Sequence, residues 1–203
     1  MNRQSHWQGV YTTKRAEEVS WFQETPAVSL DLMRAAGVTR DSSIIDVGGG
    51  ASRLVDTLLD AGYRALSVLD VSAAALATCR ARLGVAATTV TWIEADVTTW
   101  QPRQTYDLWH DRAAFHFLTA AADRAAYVTC LKAALKPGGH AIMATFAPDG
   151  PERCSGLPVV RYDGSSLAAV LGDGFELLQT VRHAHATPMG SVQKFQFSLF
   201  RRR

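Results

Sequence analysis

The feature that most constrains the fold is a triple glycine that directly follows a short apolar segment. Residues 43–47 read Ser-Ile-Ile-Asp-Val, Gly48–Gly50 comes next, and apolar residues then recur at helical spacing from Leu54 until Gly62. This order predicts a buried strand, a tight glycine turn and a helix. Glycines let the backbone approach a ligand closely, and the start of a helix attracts an anionic group, so we expect a cofactor loop here.

The alternation of strand and helix continues along the chain. Apolar runs predict further strands at residues 65–70, 88–93, 106–110, 141–146, 175–181 and 195–200. Helical patterns lie between most of them, with N-caps predicted at Thr25, Ser72 and Thr119, and Pro137-Gly138-Gly139 as the end of the longest helix. The predicted fold class is therefore α/β, a Rossmann-like, doubly wound sheet of seven strands that is mostly parallel. The last two strands have no convincing helix between them, so we expect a C-terminal antiparallel strand.

Length and charge exclude several classes of protein. At 203 residues the chain predicts a single domain, 1–203, and 47% hydrophobic residues are enough for a full core. The net charge is only +2, and the only basic cluster is the terminal Arg201–Arg203, so no nucleic-acid partner is expected. Neither a membrane span nor a signal core is present in the sequence, which predicts a cytoplasmic protein with no membrane partner.

The cysteines and histidines give no pattern typical of a metal site. Cys79, Cys130 and Cys154 are odd in number and widely spaced, which favours three free thiols. His183 and His185 alternate without a third ligand in sight, and a pair of histidines is a poor metal site. We therefore expect no bound metal, and no loss of activity when chelators are added.

Three of the predicted strands end in aspartate. Asp46 precedes the glycines, Asp70 ends the second strand 22 residues after Gly48, and Asp96 follows the third strand. A carboxylate at the position of Asp70 can accept hydrogen bonds from the two hydroxyls of a ribose. A simple NAD site is disfavoured because Arg53 replaces the third glycine of the dinucleotide fingerprint. Each aspartate alone could equally cap a loop, whereas the three together favour a nucleotide-like ligand.

Four motifs connect these features, and in their order they resemble the class I, seven-stranded methyltransferases that use S-adenosylmethionine. The motifs are Ile44–Gly50, Val68–Ser72, Glu94–Asp96 and Leu135–Gly139. The resemblance covers about residues 40–200 and implies S-adenosylmethionine as the cofactor. One departure is Ser52, where many members carry a third glycine. Arg112 stands where a proline would follow strand four in enzymes that methylate nucleobase amino groups or glutamine amides, which argues against that branch.

The resemblance also implies a role for individual residues. Asp46 would orient the glycine loop, the glycines would border the methionine portion, Asp70 would hold the ribose, and Asp96 would meet the adenine amino group. Val71 would pack on the adenine. The complete set of residues expected at the cofactor is Asp46, Gly48, Gly49, Gly50, Asp70, Val71, Asp96, Val97 and His110.

Catalytic candidates follow the fourth strand, whose carboxyl edge faces the methyl group in this fold. We predict His110 and Asp111 as catalytic residues, with His110 as the first choice for a general base. The alternative for His110 is a structural residue that contacts the cofactor's amino group or a backbone carbonyl. His116 is expected to pack on a helix face. Methyl transfer is an in-line displacement, so alignment alone can suffice without a base.

The opening segment and a late loop supply candidates for the acceptor site. Residues 1–23 are predicted to form an N-terminal lid on a core of residues 24–203, and the alternative is a hydrophobic plug at the sheet edge. The expected substrate or lid residues are Trp7, Tyr11, Trp21, Phe22 and Cys154. The segment resembles small bacterial methyltransferases of unassigned acceptor and, more loosely, protein-lysine methyltransferases.

Two interpretations of the function follow from these residues. The first is an enzyme that methylates a small-molecule or protein acceptor, which includes a lysine side chain held by cation–π contacts. The second, from another class, is a non-catalytic regulatory or scaffold protein that binds the same cofactor without turnover. Either is expected to be a monomer or a homodimer.

Overall fold

A seven-stranded sheet organises residues 3–203, the part of the chain that the computed structural model describes. Nine strands occur among these residues, and β6 and β7 form a separate short hairpin. The strands are β1 Ile44–Val47, β2 Leu66–Asp70, β3 Val90–Glu94, β4 Tyr106–Arg112, β5 Leu135–Phe146, β6 Arg153–Cys154, β7 Leu157–Pro158, β8 Phe175–Ala186 and β9 Val192–Arg202. The helices are α1 Arg3–Thr13, α2 Ala27–Ala35, α3 Leu54–Asp60, α4 Ala73–Leu83, α5 Ala121–Ala134 and α6 Gly164–Leu171.

The order of strands across the sheet is β3-β2-β1-β4-β5-β9-β8. Neighbours from β3 to β5 are parallel, whereas β9 is antiparallel to both β5 and β8. Six strands therefore run in one direction and β9 runs in the other, which confirms the predicted fold class. Chain order reverses between β1 and β4, and the carboxyl ends of parallel strands at such a point border a ligand crevice.

Alternating side chains of β1 show why the sheet needs helices on both faces. Ile44 packs with α2, α3 and α4, in a core that includes Leu54 and Leu76. Ile45 points to the opposite face and packs in a second core with Tyr127 of α5 and Leu167 of α6. Because successive side chains of a strand point to opposite faces, this four-residue strand is buried on both sides. The doubly wound arrangement follows from that pattern.

Some element boundaries differ from the prediction. Helix α5 is preceded by Ala120 without a side-chain cap, so the predicted cap at Thr119 was wrong. Residues 137–139 lie inside β5, because the pairing of β4 with β5 shifts register and so accommodates them. The final two strands are also longer than predicted and leave only residues 187–191 as a turn. Backbone pairing with β9 extends β8 through a polar segment that has little strand-like pattern.

Helix α1 was not predicted from the sequence, which has no apolar periodicity there. Trp7 is its only buried residue among those described. The helix packs against α4, on the sheet face where the crevice opens. No described helix is long and apolar enough to cross a membrane.

Candidate functional site

The carboxyl ends of β1, β2 and β4 border a cleft of about 790 Å³. The cleft brings together nine residues that sequence analysis selected: Trp7, Tyr11, Trp21, Gly48, Asp70, Val71, Asp96, Val97 and Cys154. A smaller adjoining cleft, of about 540 Å³, adds four more: Phe22, Asp46, Gly49 and His110. Of the predicted site residues, only Gly50 and Asp111 line neither cleft. Residues far apart in the chain thus meet at the crevice that the strand order defines.

Asp70 fixes the shape of the glycine loop. One of its oxygens, Oδ2, accepts a hydrogen bond from the Gly50 amide at 3.0 Å, and the other, Oδ1, accepts one from the Ser72 amide at 2.8 Å. A Cβ atom on Gly50 would lie 2.5 Å from Asp70 Oδ2 and 2.4 Å from the Cβ of Ala75. Gly48 has a φ of +69°, in the left-handed region that favours glycine. Glycine is therefore required at both positions by the loop's own geometry.

Burial changes the acidity of Asp70. The residue is only 5% exposed, and this burial raises the pKa of its carboxyl to about 6, while the amides of Ser72 and Gly50 act to lower that pKa. Each carboxylate oxygen can accept more than the one amide bond it makes. Asp70 thus lines the cleft with unused acceptor capacity, and it gains a proton as the pH falls through about 6.

Asp46 and His110 form a buried chain with Ser29 of α2. His110 Nδ1 lies 2.7 Å from Asp46 Oδ1, and its Nε2 lies 2.9 Å from the hydroxyl of Ser29. A carboxylate can only accept, so a neutral His110 ring carries its proton on Nδ1 and accepts the Ser29 hydroxyl at Nε2. Both ring nitrogens are therefore occupied inside the fold. The second carboxylate oxygen of Asp46, Oδ2, is buried and has no hydrogen-bond partner among the described residues.

Asp111 points away from the clefts, into the core beneath the turn after β4. Its carboxylate accepts hydrogen bonds from the amides of Ala114 and Phe115 and from the hydroxyl of Tyr127 at 2.5 Å. Tyr127 in turn accepts one from the indole N–H of Trp109. Burial raises the pKa of Asp111 to about 6, and the bond from Tyr127 opposes that rise. These contacts fit a residue that holds a turn in place.

Arg3 of α1 forms an ion pair with the carboxylate of Asp96. Its Nη1 lies 2.8 Å from both oxygens of Asp96, and its Nη2 lies 2.6 Å from Asp123 Oδ2. Asp96 also accepts hydrogen bonds from the amide and hydroxyl of Thr98. The three side chains that form the ion pairs are 26%, 30% and 39% exposed, so solvent screens them only in part. Sequence reasoning missed Arg3, because no local pattern links residue 3 to residue 96.

Two further contacts hold α1 over the cleft. Gln8 Oε1 accepts hydrogen bonds from the Ser72 hydroxyl and the Ala74 amide, both at 3.1 Å, and so supplements the cap of α4. The indole of Trp7 packs edge-on against Phe117 and Trp21, with ring centroids 4.9 and 5.7 Å apart. The Tyr11 ring lies at the same wall, and burial together with the charge of Asp70 raises the pKa of its hydroxyl. Tyr11 is therefore protonated in the working pH range.

The remaining candidates have no reactive group free for chemistry. Burial raises the pKa of Cys154 to about 11 and lowers that of His116 to about 3, so the first is a thiol and the second a neutral ring at pH 7. All three cysteines are free, as predicted. Within residues 3–203, no group of three or more His, Cys, Asp or Glu side chains is placed to hold a metal ion. The effect of chelators stays a prediction.

Among the described residues, Arg112, at the end of β4, is the one charged residue that lines both clefts. Its Nη1 donates a hydrogen bond to the Trp21 carbonyl at 2.8 Å, and its guanidinium lies over the Phe195 ring. Sequence analysis noted Arg112 only as the residue in place of a proline. Its position at the end of a strand that borders the crevice is the signal that would have selected it.

Comparison with known proteins finds one family model that matches the chain. A family model described as a methyltransferase domain matches residues 44–139, which contain all four sequence motifs. The search of curated proteins returned no significant match.

Solved structures share the fold over nearly the whole chain. A SAM-dependent methyltransferase from Anabaena variabilis is 15% identical with a TM-score of 0.78, and the match covers 100% of this chain and 96% of that one. The 1,6-didemethyltoxoflavin-N1-methyltransferase of Burkholderia thailandensis, with 1,6-didemethyltoxoflavin and S-adenosylhomocysteine bound, is 20% identical with a TM-score of 0.69, covering 98% and 84%. The N-methyltransferase NodS of Bradyrhizobium japonicum, in complex with S-adenosylhomocysteine, is 15% identical with a TM-score of 0.70, covering 96% and 97%.

At these identities the structural likeness by itself shows the fold. Together with the methyltransferase-domain match over residues 44–139, it supports a class I S-adenosylmethionine-dependent methyltransferase. It is therefore an enzyme, and the interpretation as a non-catalytic scaffold is not supported. S-adenosylmethionine is its cofactor.

The raised pKa of Asp70 predicts how binding of S-adenosylhomocysteine depends on pH. If the ribose hydroxyls donate to the Asp70 carboxylate, binding requires that group to be ionised. We expect constant affinity above about pH 7 and, below about pH 6, a loss of up to roughly tenfold per pH unit. Calorimetry between pH 5 and 8 measures this, with Asp70→Asn as the matched control, whose weaker affinity should not change over that range. A pH-independent affinity in the wild type would contradict the assignment.

Proposed function

We propose that the chain transfers the methyl group of S-adenosylmethionine to a small organic acceptor in the aromatic part of the larger cleft. The observation that carries this proposal is the composition of the two sides of the cleft. Asp70 and Asp96 lie on one side, whereas Trp21, Phe117 and Phe195 lie toward the other. A polar cofactor and an apolar acceptor can thus lie side by side with the acceptor facing the methyl group.

The adenosine would occupy the side of the cleft formed by β2 and β3. Asp70 would accept hydrogen bonds from the ribose hydroxyls with the acceptor capacity that its two amide bonds leave. Val71 and Val97 line the cleft next to the two aspartates and would pack on the adenine faces. Asp96 would meet the adenine amino group through Oδ2, which accepts a bond from Arg3 here and has acceptor capacity left.

The methionine portion would lie along the glycine loop. The unpartnered Oδ2 of Asp46 is a buried acceptor in that region, and an ammonium group is a suitable donor for it. Gly49 leaves the room beside it, because a Cβ on that residue would lie 2.3 Å from Asp46 Oδ2. Gly48 lines both clefts and would border the same portion of the cofactor, and Gly50 would act through its bond to Asp70.

When bound, the cofactor supplies an electrophilic methyl group on a sulfonium ion. The chain's part is to align the acceptor with that methyl group and to exclude water. Alignment alone can lower the reaction barrier by about 7 to 11 kcal/mol. We predicted His110 and Asp111 as catalytic residues, but their partners inside the fold support positioning roles instead. His110 would hold Asp46 in place, and Asp111 would hold the turn after β4.

A small acceptor is favoured over a lysine side chain by the charge of the cleft. A lysine acceptor would bring its amine close to the guanidinium of Arg112, which has no carboxylate partner among the described residues. Like charges in a site with little solvent repel strongly. In addition, α1 lies across the cleft, where a protein surface would otherwise approach.

We also propose that α1 is the lid of this site. Its contacts with the body of the protein are concentrated at the cleft, through Arg3, Trp7 and Gln8. Two of these contacts are polar and involve groups at the cofactor side of the cleft, so they can be broken and remade at modest cost. The lid would bury the adenosyl group and keep water away from the methyl group.

The proposed function is tested by adding a labelled methyl donor and the protein to a cell extract, and then separating macromolecules from small molecules. We expect label in the small-molecule fraction together with released S-adenosylhomocysteine. With the donor below saturation, the folded Asp70→Ala variant should give roughly ten- to a hundredfold less of both, since the loss of charge-assisted hydrogen bonds costs roughly 1.5 to 3 kcal/mol of cofactor binding. Label confined to the macromolecular fraction would contradict a small acceptor.

The lid is tested by a truncated chain that begins at Lys14 and therefore lacks α1. This boundary keeps Ser20 and Trp21, which bond to His185 and Arg112 and would be lost in a deeper truncation. We expect cooperative melting but at least tenfold weaker binding of S-adenosylhomocysteine, measured by calorimetry.

Full-length Arg3→Ala should show a smaller loss of affinity, because it removes only the ion pairs with Asp96 and Asp123. Arg15→Ala, which removes a side chain that is 80% exposed on the same segment, is the matched control and should bind as the wild type does. Full affinity in the truncated chain would overturn the lid, and a collapse of its melting temperature would favour the hydrophobic plug.

A further inference from the structure

The guanidinium of Arg112, on a partly buried side chain, has no ion-pair partner among the described residues. Its Nε and Nη2 atoms are inaccessible to solvent and have no hydrogen-bond partner among the described residues. The only polar contact found there is from Nη1 to the Trp21 carbonyl. Across residues 3–203 no carboxylate lies within 4 Å of it, whereas Arg3, the other arginine of the larger cleft, pairs with two carboxylates.

Such an arrangement is costly unless something else supplies the missing partners. Burying a guanidinium away from water and from any anion is unfavourable, and a buried charge is normally paired. Asp46, Tyr11 and Cys154 are the nearest acidic groups, and burial still lowers the pKa of Arg112 to about 10. Because Tyr11 and Cys154 are both protonated at pH 7, neither neutralises the cation.

The location of Arg112 indicates which ligand would supply the missing partners of its guanidinium. Asp70 and Asp96 follow β2 and β3, on one side of the crevice, and form the adenosine side of the cleft. Arg112 ends β4 and stacks on Phe195 of β9, at 5.4 Å from the ring centroid, on the other side of the crevice. Cys154 of β6 lines the same part. This is the side that faces away from the adenosine and toward an acceptor.

Arg53 can serve the cofactor's own carboxylate. It follows the glycine loop, lines the smaller cleft with Asp46 and Gly49, and has a buried Nε atom without a partner among the described residues. Its Nη2 and Nη1 atoms lie 3.6 and 3.8 Å from the carboxylates of Glu17 and Asp56. A cation is therefore present where the methionine portion would lie. Arg112 is not needed to bind the cofactor's carboxylate and is therefore left to bind the second ligand, the methyl acceptor.

We propose that Arg112 binds an anionic group of the methyl acceptor, and that the acceptor is a small organic acid with an apolar or aromatic body. A carboxylate matches the planar, forked donors of a guanidinium, and the Nε and Nη2 atoms of one edge have no partner among the described residues. The acceptor would form two parallel bonds with them once the side chains that cover this edge move aside. Trp21 and Phe195 would enclose the apolar body next to that edge. This inference rests on the proposed function, since it names the acceptor class of the same site.

The test uses benzoate as a carboxylate probe and benzamide as its neutral counterpart, each titrated into full-length protein saturated with S-adenosylhomocysteine and followed by NMR. We expect benzoate to bind at least tenfold more tightly than benzamide. In Arg112→Met, which removes the charge but keeps most of the side-chain length, this preference should disappear. Arg112→Lys keeps the charge without the forked donors and should retain part of it. Both variants are first checked for cooperative melting, and Arg112→Lys serves alone if Arg112→Met does not fold.

Affinity for the cofactor product is measured separately in the same proteins. S-adenosylhomocysteine should bind Arg112→Met within about threefold of the wild-type affinity.

Equal binding of benzoate and benzamide to the wild type, or an unchanged preference in a folded Arg112 variant, would overturn the proposal. So would a tenfold loss of S-adenosylhomocysteine affinity that is absent for 5′-deoxy-5′-methylthioadenosine, which lacks the carboxylate, because Arg112 would then hold the cofactor. Failure of wild-type protein to bind S-adenosylhomocysteine would instead refute the cofactor site itself.

Discussion

The hydrogen bonds that Asp70 accepts from the Gly50 and Ser72 amides are the interaction on which the rest of the site depends. They connect the loop after β1 to the start of α4, so two adjacent strand ends are fixed relative to each other. The close approach requires glycine at position 50. It also buries the Asp70 carboxylate, and this burial raises its pKa, although the hydrogen bonds from the two amides act to lower it. The ribose hydroxyls of the cofactor would therefore meet a hydrogen-bond acceptor, the Asp70 carboxylate, whose orientation is already fixed.

The rest of the site is built outward from this connection. Ser72, held by Asp70, donates its hydroxyl to Gln8 and so links α1 to the same point. On the opposite side of the glycine loop, Asp46 is held by His110, which connects β1 to β4 and, through Ser29, to α2. The walls of the cleft are thus fixed by buried polar pairs, whereas its cover is held by partly exposed ones. That difference would allow the proposed lid to open while the cofactor site stays rigid.

Sequence patterns predicted much of this arrangement because they are local. The four motifs, the strand that contains Asp46, the strand that ends at Asp70 and the cap at Ser72 each depend on a few neighbouring residues. Helix α1 was not predictable in this way, since it is held by residues about 64 to 120 positions away and has only one buried side chain among those described.

The same reason explains why the roles of individual polar residues were harder to predict. His110 lies in β4, beside the cleft as predicted, but its contact with Ser29, 81 positions away, decides that both ring nitrogens are occupied. Arg112 was visible in the sequence only as a departure from a proline motif. The missing partners of its Nε and Nη2 atoms, among the described residues, are a property of the folded cleft that no pattern of neighbouring residues reveals.

The central claim is that one cleft, fixed by Asp70 and covered by α1, binds the cofactor. Hydrogen exchange with and without S-adenosylhomocysteine tests it most directly, because a bound ligand must leave before the segments that enclose it can open. At 100 times the dissociation constant, the account predicts roughly hundredfold slower exchange in α1, in residues 48–50 and in residues 70–72 together. Unchanged exchange in α1 while the glycine loop is protected would contradict the cover, and protection confined to other segments would contradict the site.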